Sequence, residues 1–335
     1  MAPAVILKGE SHNPVNLLRH TLSQAKTWLY RRPKAELQRL VRWGPVAYFR
    51  SNAWAREMEA AAWELPVLNP KKSQPTLEVW FLTGKRFWYQ TAFCAWTLAK
   101  HSGRRLTVNL VDDGTLDACS EDGIRRLFPQ GLTVTRDMVQ AKLDLELPAE
   151  SFPVLRARWS DYVHIRKLID IHVASSGVKL VLDSDMLFFA RPDALLQWWD
   201  AAQNEIVGPC LMTDCEESYG YSRKLMSELT GSPIPALLNV GVCGLRSEEL
   251  NWVEMERWCR VLFEREGTSY YLEQALVAMM ASRRSPVVMP KIKYITFPSK
   301  LQVKSTIGVL QHYVADSKPW YFGQAWRSAI KKELG

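Results

Sequence analysis

Apolar and polar positions switch between two periods along this chain, and the switches mark out its elements. From residue 77 onward, short apolar runs bounded by Gly, Asp or Ser alternate with longer segments of helical spacing. Residues 77–82 read as a strand ending at Thr83-Gly84, and 87–100 as a helix closed by Ser102-Gly103. Residues 106–111 form a second predicted strand, running into Asp112-Asp113-Gly114; a helix over 117–128 and a short strand over 132–135 follow. A longer helix is predicted over 159–175, closed by Gly177, and then a strand over 178–182 that ends abruptly in Asp183-Ser184-Asp185. Strands alternating with helices predict an α/β fold with a mostly parallel, layered central sheet flanked by helices. Ligands of such sheets bind beyond the carboxyl ends of the strands. Thr83-Gly84, Asp112-Asp113 and the 183–185 acids all fall there, so three strand ends present polar or flexible residues on one rim.

The chain before residue 77 has a different pattern. Residues 14–65 read as helical, with Leu17, Leu18, Leu22, Ala25, Trp28 and Leu29 on one face and Arg19, Lys26, Arg31 and Arg32 around it. Pro33 and Gly44-Pro45 mark breaks, and 66–76, with Pro66, Pro70, Lys71, Lys72, Ser73 and Pro75, read as a linker. The expected organisation is a basic helical extension and linker over 1–76 and one α/β domain over 77–335. Charge sharpens this division. The whole chain carries +8, while residues 1–76 hold twelve Lys/Arg against five Asp/Glu, a net of +7. Such asymmetry suggests a surface that meets an anionic lipid, an acidic glycan or nucleic acid, with a solvated basic face as the plainer alternative. A basic amphipathic helix rich in Trp and Leu can lie on a membrane, or its stripe can pack on the body of the protein.

Composition adds limits. At 335 residues and 47% hydrophobic, the chain can bury a large core. No window of 18 uninterrupted apolar residues predicts a membrane span, and residues 1–10 show no leader pattern. None of the six cysteines sits in a C-x-x-C pair or a zinc-like cluster, so they read as reduced thiols of a cytoplasmic protein, although their even number leaves a disulfide open.

Asp183 and Asp185 are the first candidates for chemistry. Acids wedged between apolar runs are costly unless something positive meets them, and alternation along a strand points both the same way. A divalent cation answers that need, since hard cations take carboxylate oxygens. The late segment from His312 to Trp320 supplies more: an imidazole beside two carboxylates suits manganese or another borderline ion, and Lys318 could pair with a phosphate. The fourteen tryptophans, among them Trp198, Trp199, Trp252, Trp258 and Trp326, read mostly as core, and Asp214, Glu216 and Glu217 as a solvated acidic loop.

Taken in order, these pieces resemble glycosyltransferase family 8, retaining sugar-nucleotide transferases of the GT-A fold. Arg166 precedes the acids where the family has a donor-contacting arginine, and Asp183-Ser184-Asp185 is its D-x-D metal motif. Leu238-Asn239-Val240-Gly241-Val242 resembles F-N-x-G-V, Glu273-Gln274 resembles D-Q, and 312–320 resembles H-Y-x-G-x-x-K-P-W at identical spacing. The resemblance covers roughly residues 77–322. Three positions depart from it: Ala315 for glycine, Glu273 for aspartate and Leu238 for an aromatic residue.

The resemblance implies a GT-A-like, Rossmann-like domain that moves a hexose from a nucleoside-diphosphate sugar, a UDP-sugar first, to a glycan, lipid or protein acceptor. It implies Mn2+ or Mg2+ held by Asp183, Asp185 and His312. Donor contacts fall to Thr83, Arg166, Asp183, Ser184, Asn239, Gly241 and Lys318, and Glu273 and Gln274 are the catalytic candidates. Same-face attack is preferred, because Gln274 is a poor nucleophile. Nucleic acid is not an expected partner; peripheral contact of residues 1–60 with the inner face of an anionic membrane stays open beside packing of that stripe on the protein's own body. The alternatives are an inverting transferase with Asp214 or Glu273 as base, a sugar nucleotidyltransferase, for which Thr83-Gly84-Lys85-Arg86 is a faint phosphate loop, and a non-catalytic sugar-nucleotide binder.

Overall fold

A computed structural model describes residues 32–71 and 73–331. The chain divides into two compact units, Met1–Tyr48 and Phe49–Gly335. In the first, the described residues form the helix Arg32–Trp43 and the opening turn of the helix Pro45–Trp63. Gly44, at φ 78°, makes the turn between them, and Pro45 suits a first helical position. Glu36 accepts hydrogen bonds from Arg39 at 3.3 Å and from the Tyr48 hydroxyl at 3.0 Å. The break expected at Gly44-Pro45 is where it was placed. The apolar stripe of 17–29 lies outside the described residues.

The second unit is built on a seven-stranded sheet. Its strands are β1 (Thr76–Thr83), β2 (Arg105–Asp112), β3 (Thr133–Val134), β4 (Val178–Leu182), β6 (Cys210–Thr213), β7 (Leu238–Arg246) and β8 (Val287–Val288), in the order β3-β2-β1-β4-β7-β6-β8. β1 pairs in parallel with β2 from Thr76↔Arg105 to Thr83↔Asp112; β2–β3, β1–β4 and β6–β8 are also parallel. Only β7 runs against its neighbours β4 and β6. A small second sheet has the order β5-β10-β9, from β5 (Met186–Phe188), β9 (Tyr294–Thr296) and β10 (Leu310–His312).

Both faces of the large sheet are buried. Leu77, Val79 and Phe81 of β1, with Leu180 and Leu182 of β4, enter one apolar layer with Phe93, Trp96 and Trp198. Trp80 and Val181, pointing the other way, enter a second layer with Ile169, Trp258 and Leu276. The helices Trp88–Ser102 and Asp193–Asn204 thus cover the first face, and Trp252–Glu266 and Leu272–Ala281 the second. Trp198, Trp199, Trp258 and Trp326 are core residues, as their pattern suggested. Gly244 makes room for Trp198, whose ring would lie 2.1 Å from a Cβ there.

Two expected elements differ. The helix expected over 159–175 is broken into Pro153–Asp161, a 3-10 turn Val163–Ile165 and Arg166–His172. Tyr162 is extended at the break (φ −129°, ψ 99°), with its ring buried and its hydroxyl donating to the Tyr270 carbonyl. Trp159 Nε1 then donates to Asp170 across the break at 2.6 Å. The sequence also reads as strand-like over 307–310, just before His312; the strand instead starts at Leu310, because Gly308 at φ 89° interrupts the extended backbone, and it includes His312. All six cysteines are free thiols, Cys119 and Cys215 exposed and the others buried. Among the described residues, no helix is long and apolar enough to cross a membrane.

Candidate active site

The acidic segment is the seam between the two sheets. β4 belongs to the large sheet and β5 to the small one, so residues 183–185 carry the chain from one to the other. Asp183 N–H still bonds the Gly241 carbonyl of β7 at 2.8 Å. On the other side, antiparallel pairing sets Met186 opposite His312, and Tyr313 N–H bonds the Asp185 carbonyl at 2.9 Å. That register brings the imidazole to both acids. His312 Nε2 lies 3.2 Å from Asp185 Oδ1 and 3.6 Å from Asp183 Oδ2. Gly241 is needed beneath it: a Cβ there would fall 2.5 Å from the His312 ring.

Each carboxylate has its second oxygen on a lysine. Lys167 Nζ is 2.9 Å from Asp183 Oδ1, and Lys318 Nζ pairs with Asp185 Oδ2. Lys167 also reaches Glu273 Oε2 at 3.0 Å, bridging the first acid to the helix Leu272–Ala281. Burial alone would raise the Asp185 carboxyl, but Lys318 and His312 hold it well below the usual carboxylate range. Burial would lower the His312 pKa, yet Asp185 and Asp183 outweigh it and raise it above 6.5. Lys167 is buried too, which works against its charge, but Asp183 and Glu273 raise its pKa far above 10.5.

One donor atom each from Asp183, Asp185 and His312 lie within 4.8 Å of one another. Two hard oxygens and one imidazole nitrogen fit a manganese-like or magnesium-like ion, and the carboxylates, 28% and 20% exposed, are open to solvent. Such an ion would take the imidazole in its neutral form.

The other sequence candidates form the surroundings. Ser184 Oγ bonds Thr91 Oγ1 at 2.7 Å, and Thr91 donates to Thr83 Oγ1 at 2.8 Å, so Thr83 is buried beneath the seam. Arg166, also buried, donates to the Asp112 carbonyl at 3.2 Å, and its Nε has no partner. No hydrogen bond or ion pair joins Arg166 to the acids of the seam in the described geometry. At the rim, Gly84 packs so closely that a Cβ would lie 2.0 Å from Asp113 Oδ1. Ala315 takes φ 45°, a conformation that favours glycine and costs an L-residue about 1 kcal/mol.

Asn239 and Gln274 converge on Asp214, and here the sequence reading needs correcting. Asp214 is not part of a solvated loop; it is buried, and its Oδ2 accepts from Asn239 Nδ2 at 3.0 Å and Gln274 Nε2 at 3.2 Å. The Cys215 N–H bonds its Oδ1 at 2.7 Å. The register of β6 on β7 shifts between Leu211 and Met212, which brings Thr213 opposite Leu238 and turns Asp214 inward. Gln274 also donates to the Ser218 carbonyl at 2.9 Å, while Asn239 Oδ1 accepts from Gly241 N–H at 2.9 Å. Glu216 and Glu217 are exposed, as expected. Glu273 is buried, which pushes its carboxyl up to about 7 despite the opposing pull of Lys167. Lys167 and Thr91 were not foreseen. The sequence around Lys167, with His164 and Arg166 before it and Asp170 and His172 after it, gave no sign of its burial.

No family model matches the chain, and no curated protein matches it in sequence. Solved structures do. Galactosyltransferase LgtC, in complex with donor and acceptor sugar analogs, matches with a TM-score of 0.50 and 10% identity over 77% of this chain and 97% of that one. Mouse xyloside xylosyltransferase 1 matches at 0.48 and 12% over 72% and 99%. The bifunctional glycosyltransferase WbbM matches at 0.47 and 11% over 79% and 53%. The likeness to LgtC shows the fold: a mixed α/β domain of the GT-A type, with a mostly parallel sheet between helices.

Proposed function

We propose that this protein is a retaining glycosyltransferase of the family 8 type. It moves a hexose from a nucleoside-diphosphate sugar, a UDP-sugar first, to an acceptor hydroxyl. The observation that carries this reading is the convergence of Asp183, Asp185 and His312 at the seam of a GT-A sheet, with Lys318 on the outer oxygen of Asp185. Asp183, Asp185 and His312 would hold Mn2+ or Mg2+, which when bound supplies Lewis-acid neutralisation of the diphosphate.

The chain's own residues do the rest. Lys318 offers a second positive charge to the departing diphosphate, and the unpartnered Nε of Arg166 is a spare buried donor for the nucleotide sugar. Asn239, Gly241, Ser184 and Thr83 shape the donor wall. In same-face transfer the C1–O bond to the diphosphate breaks as the acceptor oxygen bonds C1 from the same side. The acceptor proton passes to the departing phosphate oxygen. Gln274 supports that route over a covalent one, since a neutral amide is a weak nucleophile; its Nε2 donates to Asp214 Oδ2 and the Ser218 carbonyl. Residues 77–335 are the transferase domain in this reading and 1–76 a basic accessory. Exposed Leu37, Val41 and Val46, with Arg39 and Arg42 nearby in sequence, favour contact of that accessory with an anionic cytoplasmic membrane face.

One observation favours a second reading. A carboxyl pushed up to about 7 suits a general base near neutral pH, and Glu273 has one, which would give inversion. Incubation with a panel of UDP-sugars and manganese, with NMR of the released or transferred sugar, separates the two. A retained anomer supports the first reading and an inverted anomer the second. Full activity in excess chelator would reject the metal-dependent mechanism.

A further inference from the structure

Two chain segments are zipped together beside the acids, and their outer end is aromatic. Lys167 and Glu273 form the inner tie at 3.0 Å. Three residues before each of them stand His164 and Tyr270, whose rings meet edge to face, with centroids 4.9 Å apart and planes at 76°. The Tyr162 hydroxyl closes the zip by donating to the Tyr270 carbonyl. Tyr271 packs against Tyr270 at 5.3 Å and 88°.

This end is presented rather than buried. Tyr270 is 65% exposed and Tyr271 42%, immediately before the helix that carries Glu273 and Gln274. Their backbone is fixed all the same: Ser269 N–H bonds the Tyr221 hydroxyl at 3.1 Å, and Tyr271 N–H bonds Ser269 Oγ at 3.0 Å. Gly220 fits against this segment only because it lacks a Cβ, which would lie 1.8 Å from Ser269 Oγ. Lys167, three residues after His164, pairs with both Asp183 at 2.9 Å and Glu273 at 3.0 Å, and so ties this end of the zip to the acids.

We propose that Tyr270 and Tyr271, braced by His164, form an acceptor platform on which a pyranose ring of a carbohydrate acceptor stacks. The inference rests on the transferase reading above and names its acceptor class. The C–H face of a pyranose is weakly positive and apolar, matching the negative face of an aromatic ring. The tyrosine hydroxyls can bond the ring's own hydroxyls. Tyrosines with few rotatable bonds lose little entropy in holding a ligand. The platform is small and polar at its edges, which suits a sugar better than an acyl chain.

The test uses the full chain with manganese and UDP present. Lactose, cellobiose, maltose and xylobiose are titrated by saturation-transfer NMR. At least one should bind, with Kd weakened about tenfold or more in Tyr270→Ala and restored within about threefold in Tyr270→Trp. A merely structural tyrosine would not be rescued by the larger ring, and the melting temperature of each variant separates loss of fold from loss of contact. If none of the sugars binds a wild-type protein that takes up UDP, or if Tyr270→Ala binds as the wild type does, the platform is wrong and the transferase reading stands. If manganese and UDP themselves fail to bind the wild type, both fall.

Discussion

Two groups of polar side chains flank the same seam, and they are built for opposite purposes. Around Asp183 and Asp185 the partners are cations: Lys167, Lys318 and a His312 whose pKa is raised by the acids. These carboxylates are part-exposed, so a divalent ion can take the place of a cation they hold, and a phosphate the place of the carboxylate on Lys318. Around Asp214 the partners are neutral amides and a backbone N–H, each satisfied by the others, with the carboxylate out of water. The first group can change its ligands during a reaction; the second fixes Asn239 and Gln274 in place. Charge near a site therefore says less about its role than whether its partners can be replaced.

Substitutions can break this contrast. The largest effect on activity is expected for Asp185→Ala, on the order of 10³-fold in kcat, with the melting temperature little changed. A comparable loss from Asp214→Asn with no change in Asp185→Ala would invert the assignment. Lys167→Met should cost about 3–5 kcal/mol of stability by urea denaturation, since it leaves Glu273 as an uncompensated buried carboxylate. Lys167→Arg should recover part of that loss. Asp214→Ala, by stripping the amides of Asn239 and Gln274 of their shared acceptor, should cost about 1–3 kcal/mol and weaken donor binding indirectly.

A smaller effect concerns pH. His172 is buried with Nδ1 on Ser247 Oγ at 2.9 Å, and burial holds its pKa down to about 3, against 6.5 in the open chain. The unfolded chain then binds the extra proton first, so stability is full above about pH 6.5 and falls as pH drops toward 3. Asp170, pushed up to about 7 by burial, works in the opposite sense. The comparison of wild type with His172→Gln isolates the histidine: the urea midpoint of the variant should fall less between pH 7 and 5. Smallest of all, Ala315→Gly should change stability by less than about 1 kcal/mol, because relief of the positive φ is offset by the freer unfolded chain.

The sequence carried the parts of this molecule that depend on local pattern. β1, β2 and β4, with the acids that end β4, were legible because both sheet faces are buried and the apolar runs stop sharply. The Gly44-Pro45 break was legible because Gly and Pro act on their own backbone. What depended on distant partners was not. The antiparallel direction of β7 follows from its neighbours and leaves no mark in its own residues. Tyr162 breaks a well-patterned helix to reach the Tyr270 carbonyl, a partner 108 positions away. Asp214 looked solvated among Glu216 and Glu217 until the β6 register shift turned it inward. Lys167 was not legible because only the folded chain shows the two carboxylates it joins.

The central claim is that Asp183, Asp185 and His312 hold a divalent cation that a nucleoside diphosphate shares. Isothermal titration of manganese, and then of UDP, into the wild-type chain and into Asp185→Ala tests it most directly. The account predicts saturable manganese binding to the wild type, UDP binding that requires the metal, and loss of both in the folded variant. Equal binding by the two proteins, or tight UDP binding in the absence of any divalent ion, would contradict it.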